Sequence, residues 1–75
     1  MEINAYKDNP VIRTQEQYWE LERKLKAAVP TLYRVTLYAD RAVIENRTRR
    51  TWRYVAAPTI NWIVDKAVYM ERNGM

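Results

Sequence analysis

Apolar residues recur along this chain in two different periods, and the change of period divides it into elements. Tyr18, Leu21, Leu25 and Ala28 fall three and four apart, the stripe of an amphipathic helix. Thr14-Gln15-Glu16-Gln17 reads as a capping box at its start, and Pro30 ends it. From Leu32 to Tyr38 the period falls to two, with Tyr33, Val35 and Leu37 on one face and Arg34, Thr36 and Tyr38 on the other. Arg41 to Glu45 and Arg50 to Ala56 are expected as two more strands, joined through Ala39-Asp40 and Asn46-Arg47-Thr48-Arg49. Beyond Pro58, the residues Ile60, Ile63, Val64, Ala67 and Met70 form a second helical stripe that Asn73-Gly74 closes. The Ile and Val content leaves a competing reading of Thr59 to Val64 as a fourth strand; the proline start and glycine stop favour the helix.

These elements describe one small α+β domain in the order α-β-β-β-α, a three-stranded antiparallel meander with two helices packed on one face. Residues 1–13 are an extended lead-in in which Ile3, Ala5 and Tyr6 can pack, and which can add a short edge strand; the first helix covers 14–29, the sheet 32–56 and the second helix 58–73. The expected core is Leu21, Leu25, Val35, Leu37, Ile44, Trp52, Tyr54, Ile60, Ile63, Val64 and Ala67.

Composition narrows the chemistry. With 75 residues, no Cys, no His, no Ser and one Gly, the chain lacks a thiolate, the commonest general base and metal ligand, and the glycines of a phosphate-cradling loop. It is not expected to be an enzyme or to need a cofactor or small-molecule substrate. Its N-terminal residues are not a signal peptide and no apolar run is long enough for a membrane span, so a cytoplasmic location without membrane association is expected.

The charge changes the picture more. The formal net charge is +4. Residues 1–33 and 54–75 are each balanced, while residues 34–53 hold Arg34, Arg41, Arg47, Arg49, Arg50 and Arg53 against Asp40 and Glu45. If Trp52 and Tyr54 point to the helices, Arg53, Thr51 and Arg49 point outward with Arg34, Thr36, Tyr38, Arg41, Val43 and Glu45. The open face would then carry Arg34, Arg41, Arg53 and Tyr38, with Arg47, Arg49 and Arg50 at a rim. Such a surface can track phosphates and stack bases; a soluble sheet can also be charged for no other reason than solubility. The expected partner is nucleic acid. The alternative is a protein-binding inhibitor or adaptor, of the sort mobile elements encode, docking through the Arg face on an acidic surface or through an aromatic helix face on an apolar one. Trp62 and Tyr69, seven apart, share one face of the second helix; they either line a homodimer or partner interface, or Trp62 fills the seam between the helices near Trp19.

The α-β-β-β-α order over residues 10–73 is similar to the double-stranded-RNA-binding domain, which implies a basic cluster at the start of the second helix. Here that stretch is Pro58-Thr59-Ile60-Asn61-Trp62, without a cation. Small DNA-binding domains that dock a three-stranded sheet in the major groove are a second likeness, over residues 32–72.

Overall fold

The computed structural model describes residues 1–30 and 32–75. Its elements are β1 (Glu2–Ala5), α1 (Gln15–Ala28), β2 (Tyr33–Leu37), β3 (Arg41–Asn46), β4 (Thr51–Ala56) and α2 (Ile60–Arg72). The class is α+β, with four strands in a mixed sheet of order β1-β2-β3-β4. The three-stranded meander is therefore corrected by one strand. β1 pairs parallel with β2, Ile3 opposite Val35 and Ala5 opposite Leu37. Parallel neighbours need a long crossover, and α1 lies within that connection. The added strand also changes the order to β-α-β-β-β-α, which departs from the topology of the double-stranded-RNA-binding domain.

The helix ends follow local chemistry. Thr14 caps α1: the Gln17 N–H donates to the Thr14 hydroxyl at 3.2 Å, and Gln17 Oε1 accepts from the Thr14 N–H at 3.1 Å. Thr59 caps α2, accepting from the Trp62 N–H, so Thr59 to Val64 is not a strand and buried Pro58 sits one residue ahead of the cap. At the other end Gly74 adopts φ +69° while the Gly74 and Met75 N–H groups donate to Glu71 and Met70 carbonyls. That is a Schellman stop, a conformation that favours glycine. No helix among the described residues is long and apolar enough to cross a membrane.

Both helices share one core with one face of the sheet. Leu21 and Leu25 from α1 and Ile63, Ala67 and Met70 from α2 are buried together with Tyr33, Val35, Leu37, Ala42, Ile44 and Val55. Ile60 and Val64 are partly buried. The lead-in folds back as well: buried Asn9 accepts on Oδ1 from the N–H groups of Val11 and Ile12 at 2.9 and 2.7 Å, which turns Val11 into the core.

Trp52 and Tyr54 do not belong to that core, contrary to the sequence expectation; they are 57% and 55% exposed. Pairing of β3 with β4 places Ala42 opposite Val55, Ile44 opposite Arg53 and Asn46 opposite Thr51. Directly opposed residues share a face, so Thr51, Arg53 and Val55 take the helix side and Trp52 and Tyr54 the open side. The physical reason is the turn. Residues 47–50 form a four-residue loop between paired Asn46 and Thr51, and an even loop pairs even positions of β3 with odd positions of β4. Val55 reaches the core, whereas Arg53 stays exposed at the edge strand.

Candidate functional site

The open face of the sheet is read most simply as three rows running across the strands. Register aligns Glu2, Arg34, Glu45 and Trp52 in the first row, and Asn4, Thr36, Val43 and Tyr54 in the second. Tyr38 and Arg41 follow at the β2–β3 hairpin, where the Tyr38 N–H donates to the Arg41 carbonyl. Tyr6 continues β1 beside Tyr38, and their rings stack with centroids 5.2 Å apart and planes at 16°. Four aromatic side chains thus lie on one solvent-facing surface: Trp52 and Tyr54 on one edge, Tyr6 and Tyr38 toward the other.

Charge on this face is more balanced than the sequence suggests. Arg34 Nε lies 3.4 Å from Glu2 Oε1, and Glu45 is its partner in register. Arg47 Nη1 lies 3.4 Å from the same Glu2 oxygen. The Glu2 carboxyl is held below its ordinary value, first by a hydrogen bond from Asn4 and then by Arg34 and Arg47. Arg41 grips its neighbour Asp40 with two nitrogens, at 3.3 and 3.0 Å, which pulls Asp40 down and pushes Arg41 up. The Arg41 guanidinium also stands 5.9 Å over the Tyr54 ring, within cation–π range.

Three arginines of the expected surface meet an aromatic at one end of the sheet. Arg34, Arg47 and Arg50 line one shallow concavity with Glu45, Asn46, Thr51 and Trp52. The turn that carries them is built on Asn46. Its buried side chain accepts on Oδ1 from the N–H groups of Thr48 and Arg49, both at 3.0 Å, and donates through Nδ2 to the Met75 main-chain oxygen at 2.9 Å. Arg50 closes the turn at φ 56°, a left-handed conformation uncommon for a residue other than glycine. Its side chain is exposed and makes no ion pair with the described residues.

Two arginines of the expected surface lie elsewhere. Arg49 turns to the helix side, where Nη1 lies 3.8 Å from Glu71 and 3.4 Å from the Met75 oxygen. Arg53 is on the helix side by register and donates to the Trp52 carbonyl at 2.6 Å. The placement of Arg53 on the open face is thus corrected for the same reason of loop parity, and that of Arg49 because its side chain reaches from the turn to Glu71 on α2. Trp62 and Tyr69 stand 65% and 47% exposed on α2, with Lys66 Nζ 5.1 Å from the Tyr69 ring centroid. Trp62 does not fill a seam, and Trp19 is exposed too.

Sequence reasoning missed Trp52, Tyr54 and Tyr6 as surface residues. The parity of the turn carried the signal for the first two; for Tyr6 the signal is nonlocal, since only the parallel pairing of β1 brings it beside Tyr38. Among the described residues no group of three or more acidic side chains could hold a metal ion. No family model, curated protein or solved structure matches the chain.

Proposed function

We propose that this chain is a non-enzymatic, cytoplasmic nucleic-acid-binding module that works without a cofactor. Arg34, Arg47 and Arg50 contact phosphates, and the neighbouring open sheet face contacts the rest of the ligand. The observation that supports the reading is the convergence of those three arginines with Trp52 around one concavity. Arginine suits this role because its planar fork can bond two phosphate oxygens at once. Glu2 holds Arg34 and Arg47 until a phosphate replaces its carboxylate. The Arg47–Glu2 pair is exposed, and such pairs are worth about 0–1 kcal/mol, so it is no obstacle to exchange.

The test is affinity for a labelled oligonucleotide as a function of salt. Three phosphate contacts correspond to a log–log slope of about −2 to −3. Replacing Arg47 and Arg50 together with Ala should flatten the slope by about two units and leave the fold intact. Arg53→Ala, on the helix side, and Arg23→Ala, on α1, should leave the slope unchanged. Absence of binding to any nucleic acid at low salt refutes the reading.

A second reading, the protein-binding inhibitor or adaptor, draws on one observation: the exposed pair Trp62 and Tyr69 on α2. As a self-interface it is tested by sedimentation. Tyr69→Glu should then convert a dimer into a folded monomer, and a wild-type monomer at high concentration removes the homodimer.

A further inference from the structure

We infer that the ligand of the open sheet face is single-stranded nucleic acid, its bases stacked on Trp52, Tyr54 and the Tyr6–Tyr38 pair. This rests on the nucleic-acid reading above and narrows it.

The first consideration is what the face spends its surface on. Each Tyr or Trp carries roughly 150–250 Å² of surface that folding ordinarily removes from water. Here the core is built from aliphatics, Met70 and Tyr33, and four other aromatics are left on one side of one sheet, each between 39% and 57% exposed. Grouped exposure of this kind marks a binding surface rather than the scattered apolar residues of any protein surface. A depression lined by Tyr38, Asp40, Arg41, Val43 and Trp52 makes the two aromatic groups continuous.

Charge then separates single strands from duplexes. Across the three rows Arg34 stands between Glu2 and Glu45 and Arg41 is paired with Asp40, so the face itself carries no net positive charge. Among the described residues of this surface, the cation without an ion pair is Arg50, at the rim. A duplex presents two phosphate backbones and keeps its base faces inside the stack, so it would meet a neutral aromatic surface with little to offer. Unpaired bases offer π-faces, and stacking on aromatic side chains is the usual source of affinity for single strands.

Spacing agrees. Trp52 and Tyr54 are two residues apart on β4, about 6.8 Å along the strand. That is about twice the 3.4 Å rise per nucleotide of a stacked strand. Successive bases would therefore part from each other and each take its own ring. Tyr38 lies two strands and one row from Tyr54, about 12 Å away, and about 17 Å from Trp52. A site of about three or four extended nucleotides spans that diagonal, entering at the arginine rim and leaving at the Tyr6–Tyr38 stack, which a base can extend.

The experiment compares fluorescein-labelled decamers at one low salt concentration: oligothymidylate, oligouridylate, a decamer with the same phosphates but abasic sugars, and a duplex. Base-bearing single strands should bind at least about tenfold more tightly than the abasic strand, and more tightly than the duplex. Trp52→Ala and Tyr54→Ala, both at exposed positions, should each weaken base-bearing strands by about 5- to 150-fold, the range of one lost stacking contact. Tyr54→Ala, outside the arginine concavity, should leave abasic binding unchanged, and circular dichroism should show both variants folded. The DNA and RNA arms identify which source of single strand the face prefers. Equal affinity for abasic and base-bearing strands overturns the inference while leaving phosphate binding in place, and so does preference for the duplex. No binding by any arm overturns both, and the aromatic face then belongs to a protein partner.

Discussion

Asn46→Ala should be among the most damaging polar substitutions in this domain. The side chain is buried and makes three well-formed hydrogen bonds: from the Thr48 and Arg49 N–H groups at 3.0 Å each and to the Met75 oxygen at 2.9 Å. Its 3.4 Å approach to the Tyr33 hydroxyl is too long to count fully. At about 0.5–1.5 kcal/mol for each bond lost, and with the two turn N–H groups able to reach water at exposed residues, the loss comes to about 2–3 kcal/mol. A domain of this length has on the order of 4–11 kcal/mol to lose. At about 4–8 °C per kcal/mol, the thermal midpoint should fall by about 8–24 °C. Asn46→Asp separates the two halves of the site. Its carboxylate still accepts from Thr48 and Arg49, so their amide resonances should stay near native positions. It loses the donor to Met75 and faces the Tyr33–Glu71 hydrogen bond with a like charge, so stability should still fall. Thermal unfolding by circular dichroism, with amide spectra of both variants, reads these effects. A midpoint shift below about 2 °C for Asn46→Ala would refute the idea that this residue ties the turn to the C-terminal end of α2.

Leu25→Ala, at a fully buried position of α1, should lose about 2–5 kcal/mol in chemical denaturation; an unmoved midpoint means the helix does not pack as described. Burial first, and then the hydrogen bond to Glu71, raises the Tyr33 phenol above its ordinary value of 10.0. The folded state therefore holds that proton more tightly, so its contribution is intact below pH about 10 and is lost as pH rises through the folded value. Tyr33→Phe should be less stable at neutral pH and should lack that alkaline step, which unfolding measured across pH 8–12 checks. Glu2→Gln should release Arg34 and Arg47 and tighten oligonucleotide binding by about 1.5- to 5-fold at low salt; weaker binding by anisotropy would mean that these arginines do not contact phosphate.

Local chemistry made much of the fold legible. The capping box of Thr14 and Gln17, the proline and glycine that bracket α2, and the alternation of Tyr33, Val35 and Leu37 each act within a few residues, and each appears in the structure. β1 was harder to read because its partner lies some thirty residues away: four residues with only Ile3 and Ala5 as apolar positions say little about a parallel neighbour across a helix. The phase of β4 was legible in principle. Hydrophobicity alone favoured burying Trp52 and Tyr54 over Thr51, Arg53 and Val55, but with Ile44 inward an even turn after Asn46 demands the second set. The same step moves Arg53 off the open face. Arg49 could not be placed by pattern at all, since its partner Glu71 lies on α2. Of the expected site, Arg34, Tyr38 and Arg41 lie on the open face and Arg47 and Arg50 at its rim.

Three tryptophans on three different elements allow the central claim to be read directly. Trp52 lies on the open sheet face, Trp19 on α1 and Trp62 on α2, all exposed. Each contributes one indole N–H resonance, assigned by its own Trp→Phe variant. On titration with a short single-stranded oligonucleotide at low salt, the Trp52 resonance should shift together with the amides of Arg47 to Arg50, while those of Trp19 and Trp62 stay in place. A titration that moves the Trp62 resonance and leaves Trp52 unchanged, or moves none of the three, contradicts the account.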